Sequence, residues 1–353
     1  MRPTPSIVVL ADDLTGAAEL AAIAHRHGLP TEVQTSFHPG TDAAVVCLDT
    51  DTRLLSPAKA AAVAGAVARE VVAAKPDWIF RKCDSVLRGS VAAEARATAQ
   101  AAGRCRIVVL PANPSRGRIV RDGVYFIGDR PLHETDFARD PFHPRRSSRL
   151  GDLLGNPAPD MTAPDARTPA DVLAQARALT PDTLPVGAAD FFAALLDVRV
   201  PRRGRASSED PAAGPVLLAC GSALAWPGRV GAARGVPSFP LPHDCAAVIN
   251  ALKNHGRSML GVGDGPETKD KVPEELSALM AESVARVLRA TPLARLLIEG
   301  GATAAAVLHT LGWIRLAVTG ASGDVALLRP VGTGQPQVCL KPGSYAWPDS
   351  LWP

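Results

Sequence analysis

The sequence predicts an α/β protein of two α/β domains with mainly parallel sheets. Three observations carry that expectation. Short apolar runs rich in β-branched residues alternate with alanine-rich stretches from residue 6 onward; a polar, proline-bearing segment, RVPRRGRASSEDPAAG, interrupts the pattern at residues 199–214; and the alternation then resumes. The 353 residues exceed one ordinary core, and length favours two domains of roughly 100 to 200 residues each. The boundary is placed near residue 207, giving domains 1–207 and 208–353.

Residues 6–11 read as a buried strand, followed by the polar loop Asp12-Asp13-Leu14-Thr15-Gly16 and an alanine-rich helix to about His27. Residues 31–35 and 43–48 are strand-like, 56–74 helical, 77–82 a strand, 90–102 a helix and 106–110 a strand. Turn residues closely spaced with β-formers make 117–128 a hairpin, an excursion suited to a lid or substrate wall. Residues 137–169 are rich in proline, arginine and aspartate with weak periodicity, and read as surface loops with one short helix. A helix-strand-helix run reaches Val198. After the linker come a strand to Cys220, helices from about Ala225 and from His243, a strand at 258–262, a long helix at 273–290, a strand at 294–298 and a helix at 303–311. Strands at 314–318, 325–328 and 337–340 close the chain.

Composition excludes several classes of protein. Thirty-eight basic against 35 acidic residues leave a net charge of +3, too small a bias for nucleic acid or an anionic membrane surface, while small anions stay open as ligands. No basic stripe is interleaved with aromatic residues. The six cysteines, Cys47, Cys83, Cys105, Cys220, Cys245 and Cys339, form no C-x-x-C pair and read as reduced packing residues, with Cys83 set apart by its position in a candidate site. The amino terminus enters a strand at once and no apolar run reaches the ~20 residues of a membrane span, so a cytoplasmic protein is expected.

Four constellations could carry chemistry. Asp12 and Asp13 sit at the tip of the opening strand, where one carboxylate can meet a ligand while the other caps the next helix. Lys82, Asp84, Ser85 and Arg88 follow the strand at 77–82, where an α/β sheet collects its ligands. They place two cations, a proton acceptor and a hydroxyl in one turn, which suits gripping and deprotonating a small anion; a helix entry capped by Asp84 or Ser85 accounts for them equally well. Third, Pro111 to Arg118 brings Asn113, Arg116 or Arg118 to the same edge, where an arginine fork can hold a carboxylate, unless it is only a turn. Fourth, Glu299-Gly300-Gly301-Ala302-Thr303 runs from a strand into a helix, with the amides and hydroxyl of a phosphate cradle. It matches neither a Walker A sequence nor G-x-G-x-x-G. Gly221-Ser222 and Lys341-Pro342-Gly343-Ser344 are further strand-end turns that could enclose the same nucleotide.

Together these segments resemble the four-carbon acid sugar kinase family. Asp12 to Ala17 matches its Asp-Asp-x-Thr-Gly-Ala tip, and Lys82 to Gly89 its Lys-x-Asp-Ser-Thr-Leu-Arg-Gly except at Val86. Pro111, Ala112, Pro114, Gly117 and Arg118 match a third motif; Gly221-Ser222, Gly300 to Thr303 and Lys341-Pro342-Gly343 match those of the carboxyl-terminal domain. The resemblance spans nearly the whole chain in order. It implies an ATP- and Mg²⁺-dependent kinase with its active site in the interdomain cleft, holding a threonate- or erythronate-like acid in the first domain through Asp12, Lys82, Asp84, Ser85, Arg88 and Arg118. Asp84 or Asp13 would be the catalytic base. ATP would lie in the second domain against Ser222, Gly300, Gly301, Ala302, Thr303 and Gly343, with no metal ligand assigned and a homodimer allowed. Departures at Ala225-Trp226-Pro227-Gly228 and Ser344-Tyr345-Ala346-Trp347 motivate a sugar-acid sensor as a non-catalytic alternative; a kinase for another small hydroxy acid or hydroxy amino acid is the other.

Overall fold

Every residue of β1 (Ile7–Ala11) is buried, as a strand covered on both faces requires. It is followed by α1 (Leu14–Arg26), β2 (Thr31–Gln34), β3 (Val45–Asp49), α2 (Pro57–Ala73), β4 (Trp78–Lys82), α3 (Val91–Ala101) and β5 (Arg106–Leu110). A small antiparallel sheet of β6 (Arg118–Arg121), β7 (Val124–Ile127) and β8 (Arg130–Pro131) precedes α4 (Leu150–Leu153), β9 (Met161–Thr162), α5 (Pro169–Ala178), β10 (Thr183–Gly187) and α6 (Ala189–Arg199). The computed structural model describes residues 5–140, 142–156, 159–201, 204, 209–223, 225–263, 265, 268, 270–323, 325–341 and 347–352. Two compact units result, 1–31 with 36–205 and 32–35 with 206–353.

The first unit is built on a wholly parallel sheet ordered β3-β1-β4-β10-β5-β9. Its register decides where the candidate site lies. Ala11 is level with both Asp49 and Lys82, and Lys82 with Gly187, so the loops leaving β1, β3, β4 and β10 emerge together at the carboxyl edge. Helix α1 packs on β3 and α6, and α2 packs on α3, burying Ala60, Ala64, Ala68 and Val71 at helical spacing.

The second unit comprises β11 (Val216–Cys220), α7 (Trp226–Ala232), β12 (Ser238–Pro240), α8 (Cys245–His255), β13 (Arg257–Gly261), α9 (Pro273–Ala290), β14 (Arg295–Glu299), α10 (Gly301–Thr310), β15 (Arg315–Ser322), β16 (Val325–Pro330) and β17 (Gln337–Lys341). Its sheet runs β12-β13-β11-β14-β17 in parallel, then continues antiparallel through β16, β15 and β2. A core of Val216, Leu218, Met259, Leu297 and Leu327 is covered by Trp226 and by the terminal Trp347, Leu351 and Trp352.

The α/β class expected from the alternation is the class the chain adopts. Two short parallel edge strands, β9 and β12, were not legible: two or three residues cannot show a period. Residues 32–35 group with the second unit because β2 pairs with β15 and Glu32 accepts two N–H bonds from Arg315, at 2.9 and 2.7 Å. Among the described residues no helix is long and apolar enough to cross a membrane. Five of the cysteines are buried and Cys105 is exposed; burial pushes the Cys83 thiol up to about 12 and leaves it unreactive.

Candidate functional site

Asp13 is the N-cap of α1: its Oδ1 accepts from the Gly16 amide at 2.8 Å and its Oδ2 from the Thr15 hydroxyl at 2.7 Å. With Asp13 so occupied, its neighbour Asp12 stands at the strand tip, 3% exposed. Arg53 holds both. Its Nε and a terminal nitrogen each donate to Asp12 at 2.8 Å, and its other terminal nitrogen donates to Asp13 at 2.6 Å and lies 3.8 Å from Asp84. Burial alone would raise the Asp13 pKa, but Arg53, Thr15 and Lys82 outweigh it and hold the carboxyl below its usual range.

The turn after β4 is an ion network. Asp84 accepts from Arg88 at 2.8 and 3.1 Å and from the amides of Val86 and Arg88 at 3.0 and 3.2 Å. Burial is again overruled, chiefly by Arg88 and then Arg53, so the Asp84 carboxyl stays ionised far below the usual carboxylate range. Lys82 donates to the Cys83 carbonyl at 2.8 Å and lies 3.5 Å from Glu19, which also binds Arg116 at 2.8 Å. Burial opposes its charge, but Glu19 and Asp12 hold its pKa above the usual value. Arg118, at the start of β6, donates to the Ser85 hydroxyl, and Phe137 lies under both guanidinium groups, 5.8 Å from Arg88 and 5.9 Å from Arg118.

Asp12, Asp13, Lys82, Asp84, Ser85, Arg88 and Arg118, the seven first-domain residues assigned to the site from sequence, thus meet at one edge. The resulting bowl offers guanidinium and ammonium groups to a carboxylate and fixed carboxylates to hydroxyls. Several members escaped sequence reading. Arg53 lies in an unremarkable loop after β3. Asp140, His143 and Arg145, in a stretch expected to be surface loop, reach Arg88 at 3.3 Å, the Arg53 carbonyl at 2.9 Å and the Leu87 carbonyl at 2.8 Å. Behind the bowl Arg81 and Glu94 form a buried ion pair, joined by Thr52 at 3.0 Å. Burial, with Asp51, Asp13 and Asp12 nearby, pushes the Asp49 carboxyl well above its usual value.

In the second unit the tips of β11, β14 and β17 are tied by backbone bonds, Gly221 amide to Glu299 carbonyl at 3.0 Å and Gly300 amide to Lys341 carbonyl at 3.1 Å. Gly300 has φ 103°, which a side chain disfavours, and Gly301 opens α10. Gly221 is required by close approach: a Cβ there would fall 1.8 Å from the Thr303 hydroxyl oxygen. Ser222 accepts from the Ala225 amide at 3.2 Å and so caps the turn into α7. Beside these turns the fully buried Glu299 accepts from Arg229 at 2.9 and 3.1 Å and from the Trp347 indole at 3.1 Å, with the Lys341 ammonium 3.5 Å away. Burial pulls the Lys341 pKa down to about 8 although Glu299 resists. Gly343 lies outside the described residues, as do Ser344, Tyr345 and Ala346.

The profile of the sugar-binding N-terminal domain matches residues 7–195, which contain the whole first-unit bowl. The chain belongs to the four-carbon acid sugar kinase family. A D-threonate kinase of Bordetella bronchiseptica is 37% identical over 185 residues, half of this chain and 45% of that protein, so this match spans less than half of the relative's length. A 3-oxo-tetronate kinase of Pseudomonas fluorescens is 26% identical over 99% of this chain and 96% of its own. Among solved structures, a Haemophilus influenzae protein superposes with a TM-score of 0.74 over 98% of each chain at 18% identity, which establishes likeness of fold.

Within this four-carbon acid sugar kinase family member, the tryptophans of the two departures from the family's motifs, Trp226 and Trp347, have structural roles. Trp226 covers Gly261, where an added Cβ would fall 2.1 Å from the indole, and Trp347 joins it in the core while binding Glu299. Both tryptophans are packing residues.

Proposed function

We propose that this protein is an ATP-dependent kinase phosphorylating a hydroxyl of a four-carbon sugar acid, with the acid on the first unit and Mg²⁺-ATP on the second. One observation carries the reading: Asp12, Asp13, Arg53, Lys82, Asp84, Ser85, Arg88 and Arg118 converge at one sheet edge within the residues matched as a sugar-binding domain. The activities of the relatives, D-threonate kinase and 3-oxo-tetronate kinase, favour the same substrate class.

In this reading Lys82, Arg88 and Arg118 take the substrate carboxylate, while Asp12, Asp84 and Ser85 fix its hydroxyls. Transfer of a phosphoryl group relies mainly on positioning and electrostatic stabilisation. Asp84 and Asp13 are ionised, which suits orienting the attacking hydroxyl; their depressed pKa values leave proton acceptance to the end of transfer, when the phosphorylated oxygen has become strongly acidic. Mg²⁺ would arrive with the nucleotide, held largely by its phosphates, as this ion commonly is; among the described residues no cluster of three or more His, Cys, Asp or Glu could hold a metal. The amides of Gly300, Gly301, Ala302 and Thr303, with Gly221 and Ser222, are assigned to the phosphates, and Gly343 to the same site from its motif.

A coupled ADP-release assay over D-threonate, D-erythronate, their L isomers and 3-oxo-tetronate tests the proposal. Turnover with one or more of these acids and Mg²⁺-ATP is expected, with loss of at least about a hundredfold in Arg88→Met, a change removing charge-assisted bonds to substrate. No turnover with any of them, in protein that binds ATP, would overturn the substrate class.

A further inference from the structure

Asp140 comes to the first-unit bowl from outside the strand tips. It lies in the segment after β8, 52 residues beyond Arg88 in the chain. Its Oδ1 accepts from the amides of Phe142 and His143 at 3.0 and 2.8 Å, which closes a turn of that segment, and its Oδ2 accepts from a terminal nitrogen of Arg88 at 3.3 Å. Burial opposes its charge, but the His143 and Phe142 amides and then Arg88 hold its pKa below the usual value, so it is a carboxylate at neutral pH. The same segment carries Phe137, the ring over which both Arg88 and Arg118 lie.

Arg88 is divided between two carboxylates of unequal hold. Asp84 takes its Nε and one terminal nitrogen at 3.1 and 2.8 Å, and is itself fixed by the amides of Val86 and Arg88 at 3.0 and 3.2 Å, all within one turn of chain. Among the described residues, the other terminal nitrogen has Asp140 as its partner, and 3.3 Å is longer than the roughly 2.7–2.9 Å of a strong charge-assisted bond. The Arg88 side chain is 30% exposed and that of Asp84 8%, so water weakens the outer contact more than the inner one. A carboxylate arriving from solvent therefore meets Arg88 at the nitrogen that Asp140 holds. Two carboxylates at one guanidinium corner repel each other, and the one bound by the longer, wetter bond gives way.

Resting on the sugar-acid role proposed above for the bowl, we infer that Asp140 is an internal competitor of the substrate carboxylate: it holds the outer nitrogen of Arg88 until the acid takes its place. The contact sets a threshold for binding. A ligand gains Arg88 only if its own group binds better than Asp140 does; a carboxylate that also reaches Arg118 over the shared Phe137 ring meets that condition, and a neutral polyol of the same length does not.

Calorimetric titration of the full chain with D-threonate, D-erythronate, their L isomers and 3-oxo-tetronate, with erythritol as the neutral probe, tests this. Asp140→Asn keeps an oxygen for the Phe142 and His143 amides and sets an amide nitrogen opposite Arg88; Asp140→Ser keeps a hydroxyl for the turn and is too short to reach Arg88. Each should tighten the acid that the unaltered protein binds best by about twofold to fivefold, the range of an incompletely buried ion pair, and leave erythritol unchanged. Asp136→Asn removes a charge from an exposed position of the same segment and should leave acid affinity unchanged. Unchanged or weaker acid binding in the Asp140 variants, with thermal unfolding showing them folded, overturns the competition while the sugar-acid reading stands. Equal tightening in Asp136→Asn, or of erythritol, does the same. Failure of the unaltered protein to bind any of these acids overturns the sugar-acid reading, and the competition with it.

Discussion

Replacing Arg53 with Met keeps most of the aliphatic stem and removes the group on which the first-unit bowl is organised. Three charge-assisted bonds disappear, two to Asp12 at 2.8 Å and one to Asp13 at 2.6 Å, and Asp84 loses a cation 3.8 Å away. At about 1.5–3 kcal/mol each, the three bonds set an upper range of about 5–9 kcal/mol. Asp13 keeps the Gly16 amide and the Thr15 hydroxyl, and water reaching Asp12 restores part of the rest. The expected loss is therefore about 3–5 kcal/mol, as when one partner of a buried pair is removed. In a unit of this size that lowers the unfolding midpoint by roughly 6 to 20 °C. The pH dependence has a definite sign. Asp13 is held below its ordinary pKa of 3.8, partly by Arg53, so its contribution is present above that value and is lost as pH falls through the depressed one. The deficit of Arg53→Met should be full at pH 7 and shrink as pH falls toward 3. Urea unfolding monitored by circular dichroism at both pH values measures it. A loss under about 1 kcal/mol at pH 7, or a deficit independent of pH, would refute the assignment of Arg53 as the organising cation.

Asp49→Asn should stabilise the first unit at pH 8 more than at pH 4. The carboxyl's pKa is raised in the fold, so wild-type stability falls as pH rises from about 3.8 toward the raised value and the amide escapes that loss; equal midpoints at both pH values would contradict this. Gly221→Ala forces Thr303 aside and should cost about 1–3 kcal/mol, weaken ADP in titration and leave sugar-acid binding intact. Glu299→Gln removes the buried carboxylate that Arg229 and Lys341 share and should cost about 3–5 kcal/mol at pH 7. Without Glu299 the Lys341 pKa drops below its present value of about 8, so the deficit should narrow between pH 7 and 9, and unfolding curves that keep the same offset would argue against it.

The elements were legible where burial imposes a continuous apolar run. Residues 7–11, 45–49 and 216–220 are strands covered on both faces, and sequence alone cannot hide that pattern. Strand tips were legible for the same reason, since the first polar residues after such a run stand at the carboxyl edge. Asp12, Lys82 and Asp84 were found that way. Arg53 and His143 were not, because nothing local distinguishes them; what recruits them is the level register of Ala11 with Asp49 and Lys82 and the folding back of the loop after β8.

Residue type and order by themselves determined the α/β class, the strand-end positions of the polar motifs and the family they resemble. Tertiary structure decided which ions meet. It made Asp13 a helix cap as well as a partner of Arg53, pushed the pKa of Asp84 down and that of Asp49 up, and turned Trp226 and Trp347 into core. The physical reason is that apolar burial is written in the periodicity of a single segment, whereas a charge acquires its state only from groups that other segments bring within a few ångströms.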